Sequence, residues 1–206
     1  MKRILSVWAL ALTVMASAAL PASAASFSDV AADAWYAQAV DEVTEAGLMN
    51  GVGGTLFAPD GQVTRGMVVA VLWRLAGSPQ EEGGASFPDV AESDYYAGAL
   101  AWAQAAGIAA GLEDGTFGGS LPVTREQLAL FLYRYSQYTG QQTAEGVLDP
   151  YADAGDIQPW AQEGMAHAVG AGLITGLEGG LLDPGGTATR AQLAVILQRL
   201  QTPAVG

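Results

Sequence analysis

Three stretches of the chain share one pattern of apolar positions. In each stretch the apolar residues recur with the spacing i, i+3, i+4 and i+7, which places them on one face of an α-helix. The three sets are Val68, Val71, Leu72, Leu75, then Leu128, Phe131, Leu132, Tyr135, and then Leu193, Ile196, Leu197, Leu200. Each stretch follows a threonine, at Thr64, Thr124 or Thr189, and threonine is a good helix N-cap. The pattern therefore predicts one buried helix face that occurs three times.

A shorter helix is predicted before each of these. It begins near an aromatic residue and ends at a glycine, which takes a left-handed conformation at little cost. The aromatic starts are Trp35-Tyr36, Tyr95-Tyr96 and Trp160, and the terminal glycines are Gly47, Gly107 and Gly172. Loops rich in Gly, Asp and Pro, with room for a short helical turn or strand, join the two helices over 51–61, 111–122 and 176–186.

Sequence landmarks keep the same order in all three units. Phe27-Ser28-Asp29-Val30 recurs as Phe87-Pro88-Asp89-Val90 and more weakly as Tyr151-Ala152-Asp153-Ala154. We therefore predict three repeats, over residues 25–80, 85–140 and 147–202. Since one unit has too little apolar surface to fold well alone, the three should share a core, which makes the fold all-α and compact. The apolar faces could meet at a pseudo-threefold centre or stack as a short solenoid.

The N-terminal segment indicates export. A basic start at Lys2 and Arg3, an apolar run and the small residues before position 24 predict a signal peptide over residues 1–24. No later segment is apolar for long enough to cross a bilayer. The chain has no cysteine, which excludes a disulfide framework and a thiolate metal site. We predict no cofactor and no metal.

The charge excludes some partners and makes the few arginines informative. The net charge is −13, which disfavours binding to nucleic acid or to an anionic membrane surface. All six arginines after residue 24 fall in the second helices. The early ones, Arg65, Arg125 and Arg190, follow the capping threonines. The late ones are Arg74, Arg134 and Arg199, nine residues further, so they should point to the opposite side of the helix. They lie toward the helix C-terminus, where a cation favours the helix dipole.

The early arginines call for a partner, because a cation in the first turn opposes the helix dipole. An internal carboxylate, such as Asp29, Asp89 or Asp153, would serve. An external anion bound by the free amides of the helix N-terminus and by the guanidinium would serve equally well. The residues themselves leave both alternatives open.

The ordered motifs resemble the S-layer homology module. The closest stretch runs over 87–134 and includes Gly111-Leu112-Glu113-Asp114-Gly115-Thr116-Phe117 and Val123-Thr124-Arg125-Glu126-Gln127. The resemblance covers residues 27 to about 201 and three modules. It implies helical modules that assemble in trios around a central bundle and attach exported bacterial proteins non-covalently to secondary cell-wall polymers, including pyruvylated glycans.

The resemblance also implies which residues bind the glycan, and it favours the external anion for the early arginines. The arginines that match the family's anion contact are Arg65, Arg125 and Arg190. The other matching residues are Asp29, Trp35 and Gly51, then Asp89 and Gly111, then Asp153, Trp160 and Gly176.

Each copy departs from the family pattern at one point. Copy one reads Thr64-Arg65-Gly66-Met67, without the usual acidic residue and without the partner that completes a capping box in the other two copies. Copy two has Tyr95 where tryptophan is usual, and copy three has Gly179-Gly180 where Asp-Gly is expected. One or more of the grooves is therefore expected to be degenerate. The first candidate is copy one, because it lacks the acidic residue that usually supports the arginine.

Two functions fit these observations, and a third fits poorly. The chain is expected to bind an anionic wall polysaccharide as a secreted, wall-associated anchor. Alternatively, it is a structural surface-layer protein that acts through self-assembly or contacts with other surface-layer proteins. An enzyme is disfavoured because most aspartates occupy turns and because His167, the one histidine, is expected on the surface of a helix.

Overall fold

The described part of the chain contains six α-helices and two short 3-10 turns. The computed structural model describes residues 27–141 and 145–201, so the predicted signal peptide lies outside the described residues. The helices are α1 (Ala37–Glu45), α2 (Arg65–Leu75), α3 (Ala97–Ala105), α4 (Arg125–Thr139), α5 (Gln162–Gly170) and α6 (Arg190–Gln201), and the 3-10 turns cover Ala154–Asp156 and Pro159–Ala161. Each copy contributes two helices, which confirms the predicted all-α repeats.

The helix ends follow the predicted local chemistry. Thr64, Thr124 and Thr189 each accept a hydrogen bond from the backbone N–H three residues on. In copies two and three the residue at that position is a glutamine, and its side-chain oxygen accepts a hydrogen bond from the backbone N–H of the threonine. This second bond completes the capping box. After each first helix the terminal glycine has a positive φ, at Gly47 (69°), Gly107 (72°) and Gly172 (65°).

The first helix of each copy packs on the second helix of the preceding copy. Helix α3 lies against α2, α5 lies against α4, and α1 lies against α6, so the last copy contacts the first. The predicted apolar face of each second helix is buried, apart from the half-buried Leu75 and Leu200 at the C-terminal ends. Apolar burial between successive copies therefore forms one continuous core.

A ring of backbone hydrogen bonds closes the three copies at their centre. Val63 N donates to Ala188 O (2.9 Å), Val123 N donates to Val63 O (2.8 Å), and Ala188 N donates to Val123 O (3.2 Å). All three residues are buried. A solenoid would leave its first and last copies apart, whereas these bonds join them. The fold is therefore the pseudo-threefold arrangement that the family resemblance implied.

The expectation for His167 was wrong. Its side chain is only 6% exposed, and its ring lies 5.4 Å from that of Tyr133 between centroids. The physical reason is that the face of α5 that carries His167 lies along α4, an inter-copy contact that the pattern of one helix does not reveal. Burial lowers the pKa of His167, which favours its neutral form. None of the helices within 27–141 and 145–201 has the length and apolar character to cross a bilayer.

Candidate functional site

The early arginines reach across to the next copy and bind backbone carbonyls there. Arg65 donates from Nε to Phe117 O (2.8 Å) and from Nη2 to Ala110 O (2.9 Å). The same two bonds occur twice more, from Arg125 to Leu182 O (2.6 Å) and Thr175 O (3.1 Å), and from Arg190 to Phe57 O (2.8 Å) and Asn50 O (2.7 Å). The three guanidinium groups therefore tie copy one to two, two to three, and three to one.

The helix N-termini are not free to bind an anion, contrary to one basis for the external-ligand hypothesis. Arg65 N donates to Leu121 O (3.0 Å) and Gly66 N donates to Gly119 O (2.9 Å). The first two amides of α4 and α6 are bonded to the loop of the next copy in the same way. These amides join the copies, so any anion must be held by side chains.

The aspartates support the loops and do not pair directly with the arginines. Asp89 accepts from Phe117 N (2.7 Å) and Gly118 N (2.8 Å). Asp29 receives the equivalent bonds from Phe57 and Ala58, and Asp153 from Leu182 and Asp183. The peptide of Phe117 thus donates to a carboxylate and its carbonyl accepts from Arg65, which couples the two charged groups through one loop residue.

Burial and charge act in opposite directions on the arginines. Burial lowers the pKa of Arg65, Arg125 and Arg190, and nearby aspartates, led by Asp89, Asp183 and Asp29 respectively, oppose that effect. A guanidinium nevertheless stays protonated at neutral pH because its pKa starts above about 12. Each of these arginines is therefore a cation in surroundings with little water. Its attraction to an anion is stronger there than in bulk water.

Acid is expected to destabilise the fold through the aspartates. Bonds from Phe57 and Ala58 lower the pKa of Asp29 below its usual 3.8. Burial is the largest influence on Asp89 and Asp153 and raises their pKa, but the backbone hydrogen bonds together outweigh it, so these values also fall below 3.8. A carboxylate with a lowered pKa in the folded state stabilises fully above its unfolded value, and this is lost as the pH falls through the folded value.

The melting temperature should therefore stay level above about pH 5 and decline below about pH 4. The measurement is a series of thermal melts from pH 7 to pH 2.5. The variant Asp89→Asn should be less stable at pH 7 and should lose less on acidification. Asp60→Asn is the control, because Asp60 is exposed and accepts no hydrogen bond from the described residues. Equal acid sensitivity in Asp89→Asn and the unmutated chain would contradict the assignment.

One nitrogen of each early arginine is left for another partner. Nη1 of these three side chains forms no hydrogen bond within residues 27–141 and 145–201. In the same ranges, Trp102 Nε1 is the only fully buried side-chain polar atom without a partner. The Nη1 groups are therefore reachable from solvent.

Arg65 and Arg190 each line a groove. The Arg65 groove has a volume of about 390 Å³, and its walls include Arg65, Gly111, Gln127, Phe131, Arg134 and Trp160. The Arg190 groove has a volume of about 230 Å³, and its walls include Arg190, Gly51, Met67, Val71, Arg74 and Tyr95. Each groove thus combines the early arginine of one copy, the loop and second helix of the next, and the aromatic residue of the one after. Repeat equivalence assigns Arg125, Gly176 and Trp35 to a third set.

The glycines in the site allow an aromatic ring to lie close beneath the loop. A Cβ at Gly111 would lie 2.7 Å from Phe87 Cε1, and one at Gly51 would lie 2.8 Å from Phe27 Cε1. At Gly176 the same clash would occur with Tyr151 Cε1, at 2.7 Å. These rings belong to the aromatic-x-Asp motif, so the aromatic residue and the aspartate hold the loop that forms the groove wall.

The departures from the family pattern do not fall in the Arg65 groove. Met67 and Tyr95 both line the Arg190 groove, although they come from different copies. Gly179-Gly180 lies in the loop of copy three, the loop that Arg125 contacts. Gly66 is explained by packing, since a Cβ there would lie 2.7 Å from Tyr96 Cδ1. The arginine of copy one therefore lines a groove that contains none of these departures.

Sequence reasoning missed the late arginine as a wall of the groove. The residues Gln127, Phe131 and Arg134 line the Arg65 groove from one face of α4. Their spacing of four and three residues was available in the sequence, but Phe131 was interpreted as core, Gln127 as a capping residue and Arg134 as a cation that favours the helix dipole. Arg65 and Arg74 do face different grooves, as their separation of nine residues predicted. Over the described ranges no cluster of three or more histidine, cysteine, aspartate or glutamate side chains could hold a metal ion.

Comparison with known proteins identifies the repeat. The S-layer homology domain matches residues 26–66, 86–129 and 150–194, which together are more than half of the chain. The chain belongs to the S-layer homology family. As a member it is a secreted, cell-wall-associated protein of the bacterial surface, and the family's module is an anchoring module. The limits predicted for the three repeats beyond the matched residues stay predictions.

The chain is similar to parts of much longer surface proteins. It is 31% identical over 191 residues to the surface-layer 125 kDa protein of Lysinibacillus sphaericus, covering 90% of this chain and 16% of that protein. It is 29% identical over 178 residues to the amylopullulanase of Thermoanaerobacterium thermosulfurigenes, covering 84% and 9%. It is 26% identical over 159 residues to the cellulosome-anchoring protein of Acetivibrio thermocellus, covering 75% and 35%. The chain thus spans 35% or less of the length of these relatives.

Proposed function

We propose that this S-layer homology protein attaches to the bacterial wall by binding an anionic secondary cell-wall polysaccharide, with pyruvylated glycans as the expected form. The observation that carries the proposal is the Arg65 groove, which brings a buried guanidinium, an open Nη1 and an exposed tryptophan to one cavity. The proposed ligand residues remain Arg65, Arg125 and Arg190, with Trp35 and Trp160 beside them. The aspartates and glycines act by holding the loops.

The groove has the chemistry that an acidic sugar requires. A carboxylate at Arg65 Nη1 would gain a charge-assisted hydrogen bond in surroundings with little water, where such bonds are strong. The ring of Trp160 is 49% exposed and offers a flat apolar surface to a sugar face. Affinity for one groove would be modest, and several grooves on one polymer would raise it through effective concentration.

We infer no catalytic role for the chain. Glycoside hydrolysis needs two carboxyl groups that flank the scissile bond. In the Arg65 groove Glu113 is the one acidic residue, and the repeated aspartates use their oxygens to accept loop amides. The amylopullulanase similarity covers 9% of that enzyme, so it gives no support for transfer of its activity.

Replacing Trp160 with alanine tests the proposal with little risk to the fold. The variant should bind isolated wall about tenfold less tightly, because stacking on an aromatic face contributes roughly 1–1.5 kcal/mol. The measurement is co-sedimentation with native wall and with wall stripped of its secondary polymer. Tyr138→Ala is the matched control, since it removes an aromatic ring of similar exposure, 47%, that lines neither the Arg65 groove nor the Arg190 groove. We expect it to reduce binding less than threefold.

Other outcomes separate the two functional hypotheses. Equal binding to native and stripped wall would contradict a polysaccharide ligand. Sedimentation without wall, at the same extent for both variants, would favour self-assembly. Exposed apolar side chains at the loop tips, such as Val52 and Leu56, are where protein contacts would then form.

A further inference from the structure

Arg134 is the late arginine that forms no bond within the described fold. Its repeat equivalents secure the end of the first helix in their own copies, since Arg74 donates to Leu48 O (2.9 Å) and Arg199 donates to Gly172 O (2.8 Å). Arg134 forms no hydrogen bond or ion pair with residues 27–141 or 145–201, and its side chain is half-buried. It lines the Arg65 groove instead. A structural role therefore accounts for two late arginines and leaves the third unexplained.

Arg65 and Arg134 both line the same groove. Arg65 Cζ is 5.4 Å from the ring centroid of Phe131. Arg134 follows Phe131 by three residues, so it projects from α4 about 4.5 Å further along the helix axis. The cavity that both side chains line has a volume of about 390 Å³. The groove thus offers two cationic side chains, one from α2 and one from α4.

The local charge balance is unusual for this chain. The protein has 8 basic against 21 acidic residues, yet this groove is lined by two arginines and one acidic residue, Glu113. Two neighbouring cations repel each other, and the repulsion is relieved when anions bind between them. In the Arg190 groove the corresponding late arginine, Arg74, already donates to a carbonyl. The two grooves therefore differ in their late arginine, which is bound to a carbonyl in the Arg190 groove and has no partner among the described residues in the Arg65 groove.

We propose that the Arg65 groove recognises two negative charges on its ligand. Arg65 binds the first acidic group at the closed end of the groove, and Arg134 binds a second acidic substituent on the neighbouring sugar. This inference rests on the proposed function and specifies the ligand class, a polymer segment with two acidic groups on adjacent sugars. Arg134 is thus the residue that gives this groove a different preference from the Arg190 groove.

Three synthetic disaccharides test the proposal, each with a pyruvylated sugar at one end. The second sugar is neutral glucose in the first, glucuronic acid in the second and a glucose phosphate ester in the third. Titration calorimetry on the secreted chain should give dissociation constants about tenfold lower for the two charged disaccharides than for the neutral one. This factor is what one added charge-assisted contact contributes. Comparing the glucuronate with the phosphate ester distinguishes the source of the second charge.

The decisive variant is Arg134→Gln, with Arg74→Gln as its matched control. Arg134→Gln should bind the neutral disaccharide as the unmutated chain does and should lose the preference for the charged ones. Arg74→Gln should keep that preference. If the unmutated chain binds all three disaccharides equally, or if Arg134→Gln keeps the preference, the second-charge proposal is wrong while the proposed function stands. If none of the three disaccharides binds, both proposals fail.

Discussion

Replacing Arg65 with methionine is expected to lower the free energy of unfolding by about 2–5 kcal/mol. Methionine keeps the unbranched apolar stem of the side chain and removes the guanidinium, whose Cζ lies 4.8 Å from the ring centroid of Phe117. It cannot donate to Phe117 O and Ala110 O, which both accept from Arg65. A buried acceptor left without its donor costs about 1–3 kcal/mol. Two such acceptors would give about 2–6 kcal/mol, and because water can reach the exposed Ala110 the expected loss is reduced to about 2–5 kcal/mol.

The control for this prediction is Arg134→Met, at a position on the wall of the same groove. Because Arg134 has no hydrogen-bond partner within the described residues, its replacement should change stability by less than about 0.5 kcal/mol. Urea unfolding followed by circular dichroism measures both changes. Similar losses in the two variants would show that the carbonyl bonds of Arg65 add nothing to stability, and that its burial has another cause.

The sequence could predict what depends on neighbouring residues. The capping threonines, the left-handed glycines and the apolar stripes each follow from chemistry within one helical turn, and the structure has all of them. The family resemblance added the closed arrangement. The choice between an internal and an external partner for the early arginines could not be made, because their partners are carbonyls 45 to 140 residues away.

The residues that line each groove could not be predicted from the sequence for the same reason. Sequence order groups Trp160 with Asp153 and Gly176, whereas the structure places Trp160 beside Arg65 and Gly111. Trp160 lies in the groove of another copy's arginine because each first helix packs on the second helix of the preceding copy. Such packing depends on long-range complementarity between helix faces, and no local pattern specifies it. His167 was misplaced because its burial also depends on that packing.

Removing the third copy should abolish cooperative folding of the other two. A chain that ends at residue 141 loses α6, which packs on α1, and so exposes apolar residues of α1 such as Val40 and Val43. It also keeps only one of the three central backbone bonds, Val123 N to Val63 O. Each fully buried valine contributes about 1.5–3 kcal/mol. A domain has only about 5–15 kcal/mol of net stability to lose.

The closed ring makes this expectation differ from that for a solenoid. In a solenoid each repeat contacts only its neighbours, so the first two copies would keep their mutual interface and melt cooperatively. In this fold the third copy contacts both of the others, through Arg190 to Asn50 O and Arg125 to Thr175 O among other bonds. The full chain should melt in one transition, with coincident tryptophan fluorescence and circular dichroism. A truncated chain that melts cooperatively within about 10 °C of the full chain, a difference of only a few kcal/mol, would show that the ring closure contributes little.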